Sequence, residues 1–285
     1  MSISIPYNFG GLEEEFLNYE NAKVAVLPIP FDKTSSWIKG SNKGPKAIIE
    51  ASMNMELYDL ETNSEVYKKG IFTSEEILCG SSEEMVTCVY DRVTELIKAG
   101  KFVVALGGEH TVSFPVIKAH NNIYDDISIL QLDAHSDMRD VYLENKYSHA
   151  CVMARVKEIN DNIVALGMRS LDSSELDNID KDNTFFARDI YNNQDWMREA
   201  VNKLKEKVYI TIDLDVFDPS IMPSTGTPEP GGLKWYPVIR FLREVCRNRD
   251  LIGFDVVELC PTENKAPDFL AAKLIYKLLS YKFSN

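Results

Sequence analysis

The amino-acid sequence predicts an α/β protein in which helices cover both faces of a parallel sheet. Apolar segments of strand length alternate along the chain with segments of helical character. The strand-like segments are continuously apolar, as expected for strands that are buried on both faces of a parallel sheet. The chain has 285 residues and is 45% hydrophobic, which is enough for a full core, and we expect one domain over residues 1–285.

The predicted strands are rich in valine, isoleucine and phenylalanine, which favour extended backbone. In chain order they are Val24–Ile29, Phe102–Leu106, Ile127–Leu132, Ile163–Leu166, Thr184–Phe186, Val208–Leu214 and Leu251–Val257. Between them, Ser81 and Glu84 have the spacing of a capping box that begins a helix, and Gly100 ends that helix. The segment Ala266–Tyr281 predicts a terminal amphipathic helix.

Composition and charge disfavour several classes of protein. The formal net charge of -13 disfavours nucleic acid and anionic membranes as partners and favours a cationic ligand. The sequence shows neither a signal segment nor an apolar run as long as a membrane span, so we expect a cytoplasmic protein. The five cysteines are odd in number and lack a Cys-x-x-Cys spacing, which indicates neither a disulfide framework nor a thiolate metal site and predicts small buried side chains.

Two acidic motifs follow predicted strands. Asp133, His135 and Asp137 alternate with small residues after the third strand, and Asp213 and Asp215 alternate at the end of the sixth. Alternate residues of extended backbone project to the same side, so each set can converge. Ligands of open α/β sheets bind at the carboxyl ends of the strands. Such Asp residues also serve turns and helix caps, but clustered carboxylates resist burial unless a cation neutralises them, so the two motifs together predict a metal site.

Three further candidate residues lie at strand ends or in a nearby connection. His110 follows the second predicted strand, and Glu258 comes directly after the last one. An acid in that position is costly without a partner, so Glu258 is a candidate functional residue. His149 lies in the connection after the first acidic motif, and for it both a structural and a catalytic role stay open. His120, at the end of a predicted helix, is interpreted as a surface or capping histidine.

In this order, the motifs resemble those of the ureohydrolases, the family that includes arginase and agmatinase. The resemblance is carried by Gly107–His110, Asp133–Asp137, Ser148–His149, Asp213–Pro219, Thr225–Gly232 and Asp255–Glu258. It implies a three-layer α/β/α sandwich around a parallel sheet of about eight strands. It also implies a centre of two manganese ions that activates water to hydrolyse a guanidinium group to urea.

The resemblance also assigns residues to roles. One manganese ion would be held by His110, Asp133, Asp137 and Asp213. The other would be held by Asp133, His135, Asp213 and Asp215, so that Asp133 and Asp213 bridge. Glu258 would bind the planar guanidinium by paired charge-assisted hydrogen bonds, and His149 would transfer a proton to the departing amine.

Agmatine, hydrolysed to putrescine and urea, is the expected substrate. The segment from Met138 to Ser148 is short, and its Asp140 and Glu144 could meet the ammonium of the substrate tail, although solvated loop charges are the favoured explanation of each. Another ureohydrolase activity, that of a guanidinobutyrase, an arginase or a formimidoylglutamase, and a non-catalytic metal-binding protein remain alternatives. The resemblance further implies a homotrimer or homohexamer. Ala150-Cys151 and Ile49 depart from the family pattern.

Overall fold

The computed structural model describes residues 7–193 and 195–284. The strands in this part of the chain are β1 (Val24–Ile29), β2 (Ile71–Thr73), β3 (Phe102–Gly107), β4 (Ile127–Leu132), β5 (Ile163–Met168), β6 (Thr184–Phe186), β7 (Lys207–Asp213) and β8 (Asp250–Val257). They form one sheet in the order β2-β1-β3-β8-β7-β4-β5-β6. Every pairing in it is parallel. The four central strands are therefore β3, β8, β7 and β4.

Helices cover both faces of the sheet. They are α1 (Gly44–Ser52), α2 (Ser82–Lys98), α3 (Ser113–Ile123), α4 (Val152–Lys157), α5 (Ala187–Asn192), α6 (Trp196–Lys203), α7 (Trp235–Asn248) and α8 (Ala266–Phe283). One buried core joins α1, α6, α7 and α8 to one face, and a second joins α2, α3 and α4 to the other. Leu130 and Ile129, neighbours on β4, point into different cores. The three-layer α/β/α sandwich is thus confirmed.

Each predicted strand is present, with small differences at the ends. The sixth predicted strand ends at Asp213, because Leu214 begins a buried 3₁₀ turn, Leu214–Val216. Strand β2 was not predicted, although β6, the equally short strand at the other edge of the sheet, was; three residues show no periodic pattern by which to distinguish a strand.

The helix ends agree with the sequence only in part. Ser81 accepts a hydrogen bond from the backbone N–H of Glu84 at 3.2 Å, and Gly100 ends the segment with a φ of 75°. The carboxylate of Glu84, however, accepts from the N–H of Gly80 at 2.7 Å and not from Ser81, so the reciprocal half of the predicted capping box is wrong. No helix in the described ranges is long and apolar enough to cross a membrane.

Helix α8 is buried on most of its surface, so the prediction of an amphipathic helix is wrong. It packs between α1, α7 and the sheet, and it buries polar residues as well as apolar ones. Lys277 on this helix is buried and forms ion pairs with Asp59 at 2.9 Å and Glu61 at 3.0 Å. These partners allow a charged residue to lie in the core.

His120 lies in the core and not at the surface, which corrects the sequence interpretation. Its ring packs against Tyr209 with 4.6 Å between ring centroids. A Cβ atom at Gly253 would lie 2.3 Å from its Nε2, so the glycine makes room for the imidazole. The Nδ1–H donates to the carbonyl of Val116 at 2.8 Å, and burial lowers the pKa of His120 to about 4. A neutral ring, with Nδ1 bonded to its own helix, avoids burying a charge in the core.

The cysteines are buried only in part. Cys151, Cys246 and Cys260 are buried as predicted, whereas Cys79 is half-buried and Cys88 is exposed on α2. Burial raises the pKa of the Cys260 thiol to about 12, which keeps it protonated.

Candidate metal centre

The carboxyl ends of β3, β4 and β7 bring an imidazole and three carboxylates together. The Nδ1 atom of His110 lies 2.9 Å from Asp137 Oδ2, 3.2 Å from Asp133 Oδ2 and 3.5 Å from Asp213 Oδ2. All four side chains are buried. The sequence prediction that these residues converge is confirmed.

Hydrogen bonds behind His110 determine which ring nitrogen faces the carboxylates. The Thr211 hydroxyl donates to the carboxylate of buried Asp255 at 2.7 Å, and it lies 3.0 Å from His110 Nε2. Because this hydroxyl has given its one proton to Asp255, it accepts from Nε2–H. In the neutral ring the Nδ1 lone pair therefore points at Asp133, Asp137 and Asp213. Support of this kind from outside the ligand set is typical of metal-binding histidines.

A second group lies beside the first. His135 Nδ1 lies 2.8 Å from Asp215 Oδ2 and 3.9 Å from Asp133 Oδ1. The backbone N–H groups of Ala134 and His135 donate to Asp215 at 2.9 Å and to Asp133 at 2.6 Å, which fixes both carboxylates. Two sets can each hold an ion with ligand atoms within 4.8 Å of one another: His110, Asp133, Asp213 and Asp133, His135, Asp215. Asp133 belongs to both.

The local backbone does not simply continue the strand. Strand β4 ends at Leu132, and beyond it His135 forms an isolated bridge with Ser170. Asp137 has a φ of 52° and therefore a left-handed conformation. This turn directs Asp137 toward His110, so the convergence depends on a kink as well as on the alternation of side chains.

Glu258 lies beside the carboxylate cluster with its backbone constrained. Its φ is 67°, and its N–H donates to the carbonyl of Gly108 at 2.8 Å. Its Oε1 accepts from the backbone N–H of His110 at 2.7 Å. Burial and the nearby charge of Glu109 raise the pKa of Glu258 well above its usual range. A buried carboxylate with one oxygen engaged is ready to bind a cation with the other.

His149 lies in the 3₁₀ turn His149–Cys151, which follows the first acidic motif along the chain. Its Nδ1 is 3.2 Å from the Thr34 hydroxyl, and its Nε2 is 3.5 Å from the Ser36 hydroxyl. The ring packs edge-on against Tyr142 with 5.8 Å between centroids. No hydrogen bond joins His149 to the metal-site carboxylates in the described part of the chain, which favours a role outside the ligand set.

A cavity of about 240 Å³ connects these residues. Its wall includes His135, Asp137 and Asp213 from the cluster together with His149 and Glu258. The structure therefore brings three of the six predicted metal ligands and both predicted catalytic residues to one opening.

A model of the arginase family matches residues 22–280. The chain belongs to the arginase family. An N(1)-aminopropylagmatine ureohydrolase from Synechocystis sp. is 39% identical over 280 residues, which are 94% of this chain and 92% of the relative. An agmatinase from Pyrococcus horikoshii is 30% identical over 277 residues, 96% of each chain. The crystal structure of the agmatine ureohydrolase of Thermoplasma volcanium superposes with a TM-score of 0.88 at 31% identity and covers 99% of this chain and 96% of that one.

As a member of the arginase family, this protein is a ureohydrolase, and the family depends on a binuclear metal centre. The pKa values of the clustered residues fit such a centre. Burial and the neighbouring Asp137 and Asp215 raise the pKa of Asp133 to about 6, and burial with Asp215 and Asp133 raises that of Asp213 well above its usual range. Burial opposes charge on His135 but is outweighed by Asp215, so its pKa rises to about 10. These raised pKa values mean that the cluster favours added positive charge. Divalent cations bound between these residues would supply that charge and neutralise the carboxylates.

The residues predicted for the substrate tail do not line the cavity of this ureohydrolase. Asp140 has an 83% exposed side chain that lies 3.5 Å from Arg155, and Glu144 is exposed. Asp172 and Glu175, which follow β5, contribute the acidic part of the wall instead. No alternating pattern marks them, so sequence reasoning missed them.

The two departures from the family pattern have different consequences. Ala150 lines the cavity next to His149, so it shapes the space near the reacting group. Ile49 lies on α1 in the hydrophobic core and does not reach the site.

Proposed function

We propose that this ureohydrolase hydrolyses agmatine to putrescine and urea with two manganese ions bound per chain. The observation that carries the proposal is the position of Glu258 and His149 around one cavity that has the carboxylate cluster in its wall and acidic residues at Asp172 and Glu175. Agmatine carries a guanidinium at one end and an ammonium at the other. The wall has acidic groups in two places to meet them, at Glu258 and at Asp172 and Glu175.

The proposed ligands are those of the two overlapping groups, with Asp137 added to the first because of its 2.9 Å contact with His110. Mixed carboxylate and imidazole donors are compatible with manganese. Two such ions, when bound, would activate the attacking water as Lewis acids. Asp213 is expected to serve both ions, because its Oδ2 lies 3.5 Å from His110 Nδ1 and its Oδ1 accepts from the N–H of Asp215 at 2.9 Å.

Glu258 is proposed to hold the guanidinium. Its Oε1 is fixed by the backbone of His110, and a Cβ atom at Gly226 would lie 3.3 Å from its Oε2, so the absence of a side chain there leaves that oxygen accessible. Charge-assisted hydrogen bonds to a planar guanidinium orient the carbon that is attacked. His149 is proposed to carry a proton to the amine as the C–N bond breaks.

The tail of the substrate is proposed to meet Asp172 and Glu175. Arg139 lies in the same wall, and its guanidinium, 3.2 Å from Asp172, pairs with that carboxylate, so the two charges offset each other. Glu175 accepts from the N–H groups of Met138 at 3.0 Å and Asp172 at 2.5 Å, so its negative charge is held in place by backbone donors. An α-carboxylate near Glu175 would meet like charge, so arginine is expected to be a poor substrate.

N(1)-aminopropylagmatine, hydrolysed to spermidine and urea, is the second candidate substrate. It shares the guanidinium end with agmatine and carries an additional ammonium at the other end. The relative from Synechocystis and a relative from Thermus thermophilus that is 36% identical over 268 residues are named for this activity. We expect the acidic wall to bind the longer cation as well.

A comparison of substrates tests the proposal. Urea release is measured with added manganese for agmatine, N(1)-aminopropylagmatine, arginine and 4-guanidinobutyrate. We expect kcat/KM for agmatine to exceed that for arginine by at least about 10²-fold, or roughly 2.7 kcal/mol. A higher kcat/KM for N(1)-aminopropylagmatine than for agmatine would select the second candidate. Faster hydrolysis of arginine or 4-guanidinobutyrate would refute both, and no urea from any guanidino compound would favour a non-catalytic metal-binding protein.

We further propose that the protein acts in the cytoplasm as a homotrimer or homohexamer. The family resemblance supports this assembly. Sedimentation equilibrium measures the assembly directly, and a monomer at all concentrations would contradict it.

A further inference from the structure

One network of hydrogen bonds outside the metal cluster sets the orientation of His149. At its centre is Glu109, a carboxylate with 0% exposure that follows β3. Its Oε2 accepts from the backbone N–H groups of Thr34 at 2.7 Å and Ser35 at 3.0 Å. Its Oε1 accepts from the hydroxyls of Thr34 at 2.7 Å and Thr111 at 2.9 Å. The loop after β1, 75 positions away, is thereby bound to the end of β3.

The polarity of this network is fixed by the number of protons. The Thr34 hydroxyl has one proton, and it is donated to Glu109. The lone pairs of the same oxygen face His149, whose backbone N–H lies at 3.0 Å and whose Nδ1 lies at 3.2 Å. An oxygen without a further proton can only accept. His149 must therefore carry its ring proton on Nδ1 to avoid placing two lone pairs against each other.

We propose that Glu109, acting through Thr34, holds neutral His149 in the Nδ1–H tautomer and so leaves the Nε2 lone pair facing the cavity. Ser148 is compatible with this arrangement, because its hydroxyl, 3.3 Å from Nδ1, can accept from the same N–H. Nε2 has the Ser36 hydroxyl at 3.5 Å as its neighbour, and His149 lines the cavity wall. Glu109 and Thr34 are thus positioning residues for His149.

The consequence for the reaction rests on the function proposed above. Hydrolysis moves protons from the attacking water to the amine nitrogen that leaves. With Nδ1–H bonded to Thr34, Nε2 takes up one such proton and delivers it to the amine when the C–N bond breaks. With the proton on Nε2 instead, the neutral ring would have no acceptor on the cavity side. A wrong tautomer removes this contribution although the ring keeps its place.

Glu109→Gln tests the network by reversing one bond. The amide oxygen replaces Oε2 and keeps both backbone N–H donors, whereas the amide NH₂ replaces Oε1 and donates to the Thr34 hydroxyl. Thr34 is then free to donate to His149 Nδ1, which favours the Nε2–H tautomer. Thr34→Val removes the hydroxyl and with it the preference, and Thr34→Ser preserves both. Thr111→Val is the matched control, because it removes a second hydroxyl donor to the same Glu109 oxygen.

The tautomer is measured on the full chain, loaded with a diamagnetic divalent ion such as Mg²⁺, by the ¹⁵N chemical shifts of selectively labelled histidine rings at high pH. The chain has four histidines, and His149→Asn identifies the signal of interest. We expect Nδ1–H in the wild type, Thr34→Ser and Thr111→Val, and a shift toward Nε2–H in Glu109→Gln. Nε2–H in the wild type, or an unchanged tautomer in a folded Glu109→Gln, would overturn the proposal.

Kinetics with manganese provide a separate readout. In Glu109→Gln, kcat for urea release is expected to fall by about 10²-fold with KM changed by less than about threefold, because proton transfer and not binding is affected. If Glu109→Gln folds poorly, Thr34→Val against Thr34→Ser gives the same comparison outside the core. The ring shifts do not depend on turnover. An absence of urea release by the wild type would therefore refute the proposed function, whereas the tautomer result would still confirm or overturn the inference about Glu109 on its own.

Discussion

Replacing Glu258 by glutamine should remove substrate binding from a site that otherwise stays intact. The amide oxygen can keep the 2.7 Å bond from the His110 N–H, but the NH₂ group then takes the place of Oε2. A guanidinium has only donors, so this NH₂ meets another donor. A hydrogen bond to a charged group contributes about 1.5–3 kcal/mol, and its loss lowers kcat/KM by about 10- to 150-fold.

The assay is urea release at saturating manganese, with metal content and melting temperature measured on the same sample. Glu258→Gln should retain its metal and its melting temperature, because neither the His110 bond nor any proposed ligand is lost. Glu263→Gln is the control: it makes the same change at an exposed position of the loop after β8 and should leave kcat/KM unchanged. An unchanged kcat/KM in Glu258→Gln would remove Glu258 from the proposed site.

Three further predictions address the metal, the proton transfer and the fold. Asp213→Ala should lose both manganese ions, because it is proposed to serve each; two ions retained by elemental analysis would contradict the bridging role. His149→Ala should keep both ions while kcat falls by about 10²- to 10⁴-fold, and metal loss would instead make it a ligand. Lys277→Met should cost ~3 kcal/mol in denaturant unfolding, since it leaves Asp59 buried and unpaired. Burial raises the pKa of Asp59, but the bond from Lys277 outweighs it and holds the pKa below the usual value of 3.8. The stabilisation from this bond is therefore present above pH 3.8 and is lost as the pH falls through the lowered pKa. In Lys277→Met the free energy of unfolding should lack this pH-dependent decrease in acid.

The parts of the fold that could be predicted from the sequence are those that repeat over several residues. Long apolar runs such as Ile127–Leu132 identified the central strands, and the motifs at their ends identified the metal cluster. Strands this short show no periodic pattern: of the two three-residue edge strands, β6 was predicted and β2 was not. His120 was misplaced because a single histidine on a helix does not reveal what packs against it, here Tyr209 and Gly253.

The parts of the site that could not be predicted depend on contacts between distant segments. Asp140 and Glu144 are close in sequence to Asp137, but the chain turns them to solvent. Asp172 lies on the cavity wall because β5 ends beside β4, which is a property of the sheet order. Likewise, Thr34 contacts His149 across 115 positions, and no spacing rule connects them.

The order of the strands has a consequence for the exchange of bound ions. The proposed ligands and Glu258 lie at the ends of β3, β8, β7 and β4, which are neighbours at the centre of the sheet, whereas the edge strands β2 and β6 carry none of them. Edge strands can open locally at low cost, but central strands separate only when most of the molecule opens. Opening of an edge strand would therefore leave the ligands in place, and a bound ion would exchange through the cavity that reaches them, so a chelator would act without unfolding of the protein.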